Sequence, residues 1–139
     1  MLRMTGKKIL LVDDDPVFVK AISTKLRGAG FEVITAEDGA STLCALREVK
    51  PDLILLDILF PPDVPHGGVV SWDGFDIMHW LRRMGGITRT PVILVTSSEP
   101  AEITERALKM GVAGLVQKTG DTGELMRAID KALEVYGTE

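Results

Sequence analysis

The fold is decided by Ile9-Leu10-Leu11-Val12-Asp13-Asp14-Asp15 and by Leu53-Ile54-Leu55-Leu56-Asp57. Short apolar runs that end at turn signals are typical of strands buried inside a parallel sheet. Ligands of such sheets bind beyond the carboxyl ends of the strands. If the two strands are neighbours, their aspartates crowd one edge of the sheet, and crowded carboxylates repel one another unless a cation neutralises them. The two stretches therefore predict a metal site at that edge.

The whole chain alternates strand and helix patterns five times. Strands are predicted near residues 8–13, 31–36, 53–57, 92–96 and 114–117, and helices near 16–28, 38–49, 74–84, 101–110 and 123–136. Such alternation predicts a parallel sheet with right-handed crossovers and helices on both faces. We expect an α/β, flavodoxin-like (βα)5 doubly wound fold with strand order 2-1-3-4-5, in which the first and third strands are adjacent.

Composition limits the classes of partner. The 139 residues fit a single domain. The net charge of −4 argues against nucleic acid or a membrane surface as the main partner, because both attract a basic face. No apolar run approaches the roughly 18 residues of a membrane span, and the first run is too short for a secretory signal. We therefore expect a cytoplasmic protein.

Two residues near these elements have simple structural interpretations. Cys44 follows a helical pattern with Leu43 and Leu46 and has no histidine near it in sequence, which predicts a thiol buried in the core rather than a nucleophile. Asp15 precedes Pro16, which is a common arrangement at the start of a helix. Asp15 is thus expected to cap the first helix, with indirect support of the metal site as the alternative.

Two later strands also end in polar residues. Val92-Ile93-Leu94-Val95 is followed by Thr96, and Leu115-Val116-Gln117 is followed by Lys118. Together with the aspartates, these residues suit the transfer of a phosphoryl group onto a carboxylate. That reaction needs an oxygen nucleophile, a divalent cation, and positive and hydroxyl groups around the phosphoryl oxygens. Mg²⁺ is the expected cation, because it prefers hard oxygen ligands.

The pieces KILLVDDDP (8–16), PDLILLD (51–57), VILVTS (92–97) and GLVQK (114–118) together resemble the receiver domain of two-component response regulators. The resemblance covers essentially the whole chain and implies one receiver domain over residues 1–139. It implies that Asp57 is the phosphoacceptor, that Thr96 turns toward the phosphoryl group and that Lys118 pairs with a phosphoryl oxygen. It also implies that Mg²⁺ is held by the side chains of Asp13, Asp14 and Asp57 and by the backbone carbonyl of Leu59.

The resemblance implies partners as well. The phosphodonor would be a sensor histidine kinase or a histidine phosphotransfer protein. Phosphorylation would then change the face formed by the fourth helix, fifth strand and fifth helix, which would contact an unidentified output partner or a second copy in a homodimer. Such a domain is a switch rather than an enzyme, because it catalyses only its own phosphorylation and dephosphorylation.

The chain departs from the family pattern at several positions. The usual Asp-Gly after the acceptor is found only at Asp73-Gly74, which implies a long loop inserted at about 60–73 between the third strand and the third helix. This loop could shield the acyl phosphate, contact the kinase, form a dimer surface or be a tolerated surface insertion. Leu115 replaces a frequent aromatic residue, Thr119 a usual proline, and Ser98 lies where side chains tune the acyl-phosphate lifetime.

Two other functions stay open. The chain could be a receiver-like interaction module that works without phosphorylation. It could also be a phosphatase similar to the haloacid dehalogenases, since Asp13-Asp14-Asp15-Pro16-Val17 matches their Asp-x-Asp-x-(Thr/Val) string. In that class Thr96 and Lys118 would bind phosphate, but Asp57 would have no role and the chain shows no obvious cap.

Overall fold

The computed structural model describes residues 6–57, 90–96, 107–118 and 122–136, together with residues 83 and 105. Within these residues, five strands form one sheet in the order β2-β1-β3-β4-β5, and every neighbouring pair is parallel. This confirms the flavodoxin-like order expected from the sequence. The strands are β1 (Lys8–Val12), β2 (Glu32–Ala36), β3 (Leu53–Asp57), β4 (Val92–Thr96) and β5 (Gly114–Gln117).

Three long helices lie among the described residues. They are α1 (Pro16–Gly28), α2 (Gly39–Val49) and the C-terminal helix (Thr122–Tyr136). Residues 107–109, in the fourth predicted helix, are also helical. The rest of that helix, almost all of the third predicted helix at 74–84 and the insertion predicted at 60–73 lie outside the described residues. No helix in the described part of the chain combines the length and apolar character that membrane crossing requires.

The first strand is one residue shorter than predicted. Asp13 still donates its N–H to the carbonyl of Ala36 at 3.0 Å, which continues the pairing of β1 with β2. The N–H of Asp15 then donates to Oδ1 of Asp13 at 2.9 Å, so a side chain rather than a neighbouring strand receives the next bond. This local turn ends β1 at Val12 and turns the chain into α1.

The central strands β3 and β4 are apolar up to the polar residue that ends each of them, because both faces of the sheet are covered. Alternate residues point to opposite faces. Leu10 and Leu56 pack with α2 on one face, while Leu11 and Leu55 pack with α1 and the C-terminal helix on the other. All four of these leucines are at most 1 % exposed. The two layers fix the positions of the strand ends, and therefore also the positions of the polar residues at those ends.

The prediction that Cys44 is buried was wrong. Cys44 is exposed, whereas Thr42, Ala45 and Leu46 form the buried side of α2. Consecutive residues of an α-helix are rotated by about 100°. The residue just before a buried position can therefore face solvent, and Leu43, which suggested an apolar setting for Cys44, is itself only half-buried.

A reciprocal cap begins α2. Oδ1 of Asp38 accepts from the N–H of Ser41 at 2.8 Å, and Oγ of Ser41 accepts from the N–H of Asp38 at 3.2 Å. This is a capping box in which serine takes the place of the usual glutamate. The backbone bond from Ser41, and next its hydroxyl, lower the pKa of Asp38 below its ordinary value of 3.8, against a smaller opposing effect of burial.

We expect Asp38→Ala to lower the free energy of unfolding by about 1 kcal/mol, because the first turn of α2 loses its acceptor. Asp38→Asn retains an acceptor and is the matched control. Since the folded-state pKa is depressed, the stabilisation from ionised Asp38 is fully present above pH 3.8 and is lost as pH falls through the lower folded value. Urea unfolding at several pH values should therefore show that the difference in the free energy of unfolding between the native and Asp38→Asn proteins shrinks as the pH falls below 3.8. Equal stability of the native and Asp38→Ala proteins would contradict this role.

Candidate functional site

The register of the sheet brings the aspartates of β1 and β3 together. Val12 pairs with Leu56, so the residues that follow them, Asp13 and Asp57, leave the same edge side by side. Asp13 is 2 % exposed and Asp57 is 5 % exposed, whereas Asp14 is exposed. Each of the three side chains offers a carboxylate oxygen, and these oxygens lie within 4.8 Å of one another. The cluster expected from the sequence is therefore present in the fold.

The register also brings Thr96 and Lys118 to this edge. Thr96 pairs with Gln117 across β4 and β5, and Lys118 follows Gln117 directly. The N–H of Lys118 donates to the carbonyl of Thr96 at 2.6 Å, which holds the end of β5 against the end of β4. Thr96 is fully buried. Thr96 and Lys118 therefore lie at the same carboxyl edge of the sheet as Asp57, at the ends of β4 and β5.

The ammonium of Lys118 lies between two aspartates. Its Nζ is 2.7 Å from Oδ2 of Asp13 and 3.6 Å from Oδ2 of Asp57, and its side chain is only 16 % exposed. Burial alone lowers the pKa of Lys118, but the close contact with the Asp13 carboxylate and the charges of Asp57, Asp13 and Asp15 outweigh it and raise that pKa above its ordinary value. Lys118 therefore stays protonated at neutral pH.

Asp15 caps α1, as its position before Pro16 predicts. Its Oδ1 accepts from the N–H of Val17 at 3.0 Å, and its own N–H donates to Oδ1 of Asp13 at 2.9 Å. The cap fixes the start of α1, and the bond to Asp13 fixes the buried carboxylate beside it. Asp15 therefore contacts the carboxylate cluster through its backbone N–H. Its charge also contributes to the raised pKa of Lys118.

The donor set fits a hard divalent cation. Three carboxylates converge, and the ammonium of Lys118 offsets one of their three formal negative charges. Oδ2 of Asp13 is buried and forms an ion pair with Lys118, but it accepts no hydrogen bond from it. A buried carboxylate oxygen without such a bond is suited to a metal ligand, and clustered carboxylate oxygens are what Mg²⁺ prefers.

The structure adds one residue that the sequence reasoning missed. The Nζ of Lys118 lies 4.6 Å from the centroid of the Phe18 ring, within the range of a cation–π contact. Phe18 is in the first turns of α1 and packs against the core layer formed with the C-terminal helix. Its apolar side chain and its position on a helix predict only that it is a core residue, so the local pattern does not distinguish it from other core residues.

Several site predictions fall outside the described residues. They concern the backbone carbonyl of Leu59, Ser98, Thr119 and the insertion at 60–73. Leu115, where the family pattern often has an aromatic residue, is described: it is half-buried and packs against the core layer formed with α2.

The chain is similar to known proteins over most of its length. A family model described as "Response regulator receiver domain" matches residues 9–130. The response regulator MtrA of Mycolicibacterium smegmatis, described as DNA-binding, is 31% identical over 88% of this chain and 49% of its own length. The probable transcriptional regulatory protein TcrX of Mycobacterium tuberculosis is 33% identical over 99% of this chain and 55% of its own length. The chain thus spans about half the length of the curated relatives it matches.

Solved structures show the same fold. The chemotaxis protein CheY4 of Vibrio cholerae superimposes with a TM-score of 0.80 at 25% identity, covering 93% of this chain and 100% of that one. The N-terminal receiver domain of Klebsiella pneumoniae RstA, solved in a BeF3-activated form, has a TM-score of 0.77 at 27% identity and covers 91% of this chain and 98% of that one.

Proposed function

Since this chain belongs to the family of response regulator receiver domains of two-component systems, we propose that Asp57 is its phosphoacceptor. One observation carries this assignment. The Asp57 carboxylate is 5 % exposed at the carboxyl edge of the sheet, beside the carboxylates of Asp13 and Asp14 and 3.6 Å from the ammonium of Lys118. Among the described residues, this is where a nucleophilic oxygen, a set of metal ligands and a cation converge.

The proposed reaction is a transfer from phosphohistidine. An oxygen of Asp57 attacks the phosphorus in line, the O–P bond forms, and the P–N bond to the donor imidazole breaks. Lys118 pairs with a phosphoryl oxygen, and the hydroxyl of Thr96 donates to another as it turns toward the new group. Water later hydrolyses the acyl phosphate and restores the carboxylate. The chain therefore catalyses only its own phosphorylation and dephosphorylation and is not a metabolic enzyme.

Mg²⁺ is the cofactor we assign to the site. The side chains of Asp13, Asp14 and Asp57 would hold it, and the backbone carbonyl of Leu59 is the further ligand expected from the family pattern. When bound, the cation supplies positive charge that offsets the negative charge of the phosphoryl oxygens. The three carboxylates support this assignment because their oxygens already lie within 4.8 Å of one another.

We assign the phosphodonor to a sensor histidine kinase or a histidine phosphotransfer protein. The signal would leave through the face of the fourth predicted helix, β5 and the C-terminal helix, toward an output partner or a second copy of the chain. MtrA is described as a DNA-binding regulator and is about twice as long as the matched segment. We place any contact with DNA outside this receiver segment, whose net charge is −4, and we expect the protein to act in the cytoplasm.

Binding of beryllofluoride, which mimics an acyl phosphate, tests the proposed function. We expect the native chain to bind it at Asp57 only when millimolar Mg²⁺ is present, as measured by ¹⁹F nuclear magnetic resonance and by calorimetry. The RstA receiver domain solved in a BeF3-activated form supports this choice of probe. A chain that binds no beryllofluoride at millimolar Mg²⁺ would instead fit an interaction module that works without phosphorylation.

A further inference from the structure

Phe18 is a second neighbour of the Lys118 ammonium, in addition to its electrostatic partner Asp13. Nζ is 2.7 Å from Oδ2 of Asp13 and 4.6 Å from the centroid of the Phe18 ring. The rest of Phe18 packs against a core layer that contains Ile22 and Leu125. The ring is therefore anchored by the core while one part of its surface meets a charged nitrogen.

We propose that Phe18 is a positioning residue for Lys118, and that its ring holds the ammonium within reach of a phosphoryl group on Asp57. The inference deepens the proposed function and rests on it, because Lys118 needs positioning only if a phosphoryl group is received there. Phe18 itself does not touch the phosphoryl group and acts through the ammonium.

The physical need for the ring follows from the chemistry of lysine. A lysine ammonium is a point charge on a flexible four-carbon stem, so its position depends on what surrounds it. In the described structure Nζ is nearer to Asp13 than to Asp57, at 2.7 Å against 3.6 Å. A cation held by Asp13 would weaken the attraction of that carboxylate for Lys118. The attraction of the ring is independent of any ligand at Asp13, so it persists when the carboxylates are neutralised.

The surroundings favour a ring contact of measurable strength. Lys118 is 16 % exposed, and cation–π attraction grows as the ammonium loses water. A pocket bounded by Phe18, Ile22, Val116 and Lys118 has a volume of about 10 Å³, so it barely admits one water molecule. The competing interpretation is that Phe18 fills the space between α1 and the C-terminal helix as any apolar residue of similar size would.

Fluorinated phenylalanines separate these two interpretations. Replacing Phe18 in the full chain by 4-fluoro-, 3,4,5-trifluoro- and pentafluorophenylalanine keeps the ring in place while its negative face is progressively lost. We expect beryllofluoride affinity at saturating Mg²⁺ to fall stepwise, by roughly 3- to 10-fold for the pentafluoro ring. Phe18→Tyr retains the ring face and should bind within about twofold of the native chain, as expected for a cation–π contact. Thermal unfolding of each variant reports whether it is folded.

A double-variant comparison completes the test. Lys118→Met removes the ammonium but retains the length of the side chain, and in that background the fluorinated rings should no longer change beryllofluoride affinity. Equal effects of fluorination with and without the ammonium, or no effect in either background, would overturn the positioning role while leaving the proposed function intact. If the native chain bound no beryllofluoride, the proposed function would fail first, and the positioning role with it.

Discussion

Asp57→Asn is expected to abolish phosphorylation of this chain by acetyl phosphate in the presence of Mg²⁺. The amide is nearly the same size as the carboxylate but is a far weaker nucleophile and carries no charge. Loss of an essential nucleophile typically lowers rates by roughly 10³-fold or more. Because Asp57 is 5 % exposed and its carboxylate lies 3.6 Å from Lys118, we expect no other described carboxylate to replace it. Intact-protein mass spectrometry measures the phosphorylated fraction over time.

Two comparison variants sharpen this experiment. Asp130→Asn, at an exposed position on the C-terminal helix, makes the same chemical change away from the site and should leave the rate unchanged. Asp13→Asn removes a buried carboxylate that we propose as a metal ligand and should slow the reaction, yet the phosphoryl group that forms should still be found on Asp57 by peptide mapping. Phosphate that accumulates on Asp13, and persists in Asp57→Asn, would overturn the assignment of Asp57 as the phosphoacceptor in favour of a reaction similar to that of the haloacid dehalogenases.

Leu55→Ala is expected to lower the free energy of unfolding by about 2–5 kcal/mol, the usual cost of removing most of a fully buried leucine. Leu55 is 0 % exposed in the centre of β3, where it pairs with Leu11 on one side and Ile93 on the other. The neighbouring strands are hydrogen-bonded to β3 along its length, so the sheet cannot easily close over the cavity. Urea unfolding followed by circular dichroism measures the change.

Leu108→Ala is the matched control for this prediction. It removes the same atoms from a helical position that is 71 % exposed, so the expected change is within about 0.5 kcal/mol. A loss of stability in Leu108→Ala as large as that in Leu55→Ala would mean that the exposed leucine is covered by another part of the chain or by a second copy. A small loss in Leu55→Ala would contradict the packing of the layer formed with α1 and the C-terminal helix.

The edge of the sheet could be predicted because it depends on local patterns. The apolar run ending at Asp13 and the run ending at Asp57 each required a buried parallel strand. Parallel strands joined by right-handed crossovers place their carboxyl ends on one edge. Thr96 and Lys118 were expected there for the same reason. Their presence at one edge therefore follows from strand direction and strand order, which sequence periodicity can indicate.

Local patterns were less informative about which way single side chains turn. The thiol of Cys44 faces solvent because α2 presents Ala45 and Leu46 to the sheet. The directions of consecutive side chains on a helix differ by about 100°. The start of α2 depends on Oγ of Ser41 accepting from the N–H of Asp38, a bond that a search for glutamate at that position would miss. The first case depends on the rotation of α2 about its own axis, and the second on the residue at which α2 begins. A shift of one residue changes either outcome.

The sequence by itself determined the strands, their order and the cluster of carboxylates, because periodicity and turn residues act over a few neighbouring positions. Only the tertiary structure decided that the ammonium of Lys118 lies closer to Asp13 than to Asp57 and that it lies 4.6 Å from the centroid of the Phe18 ring. These contacts join α1, β1, β3 and the end of β5. Their distances depend on how helices and strands pack in three dimensions, and no local pattern in the chain encodes a distance between residues a hundred positions apart.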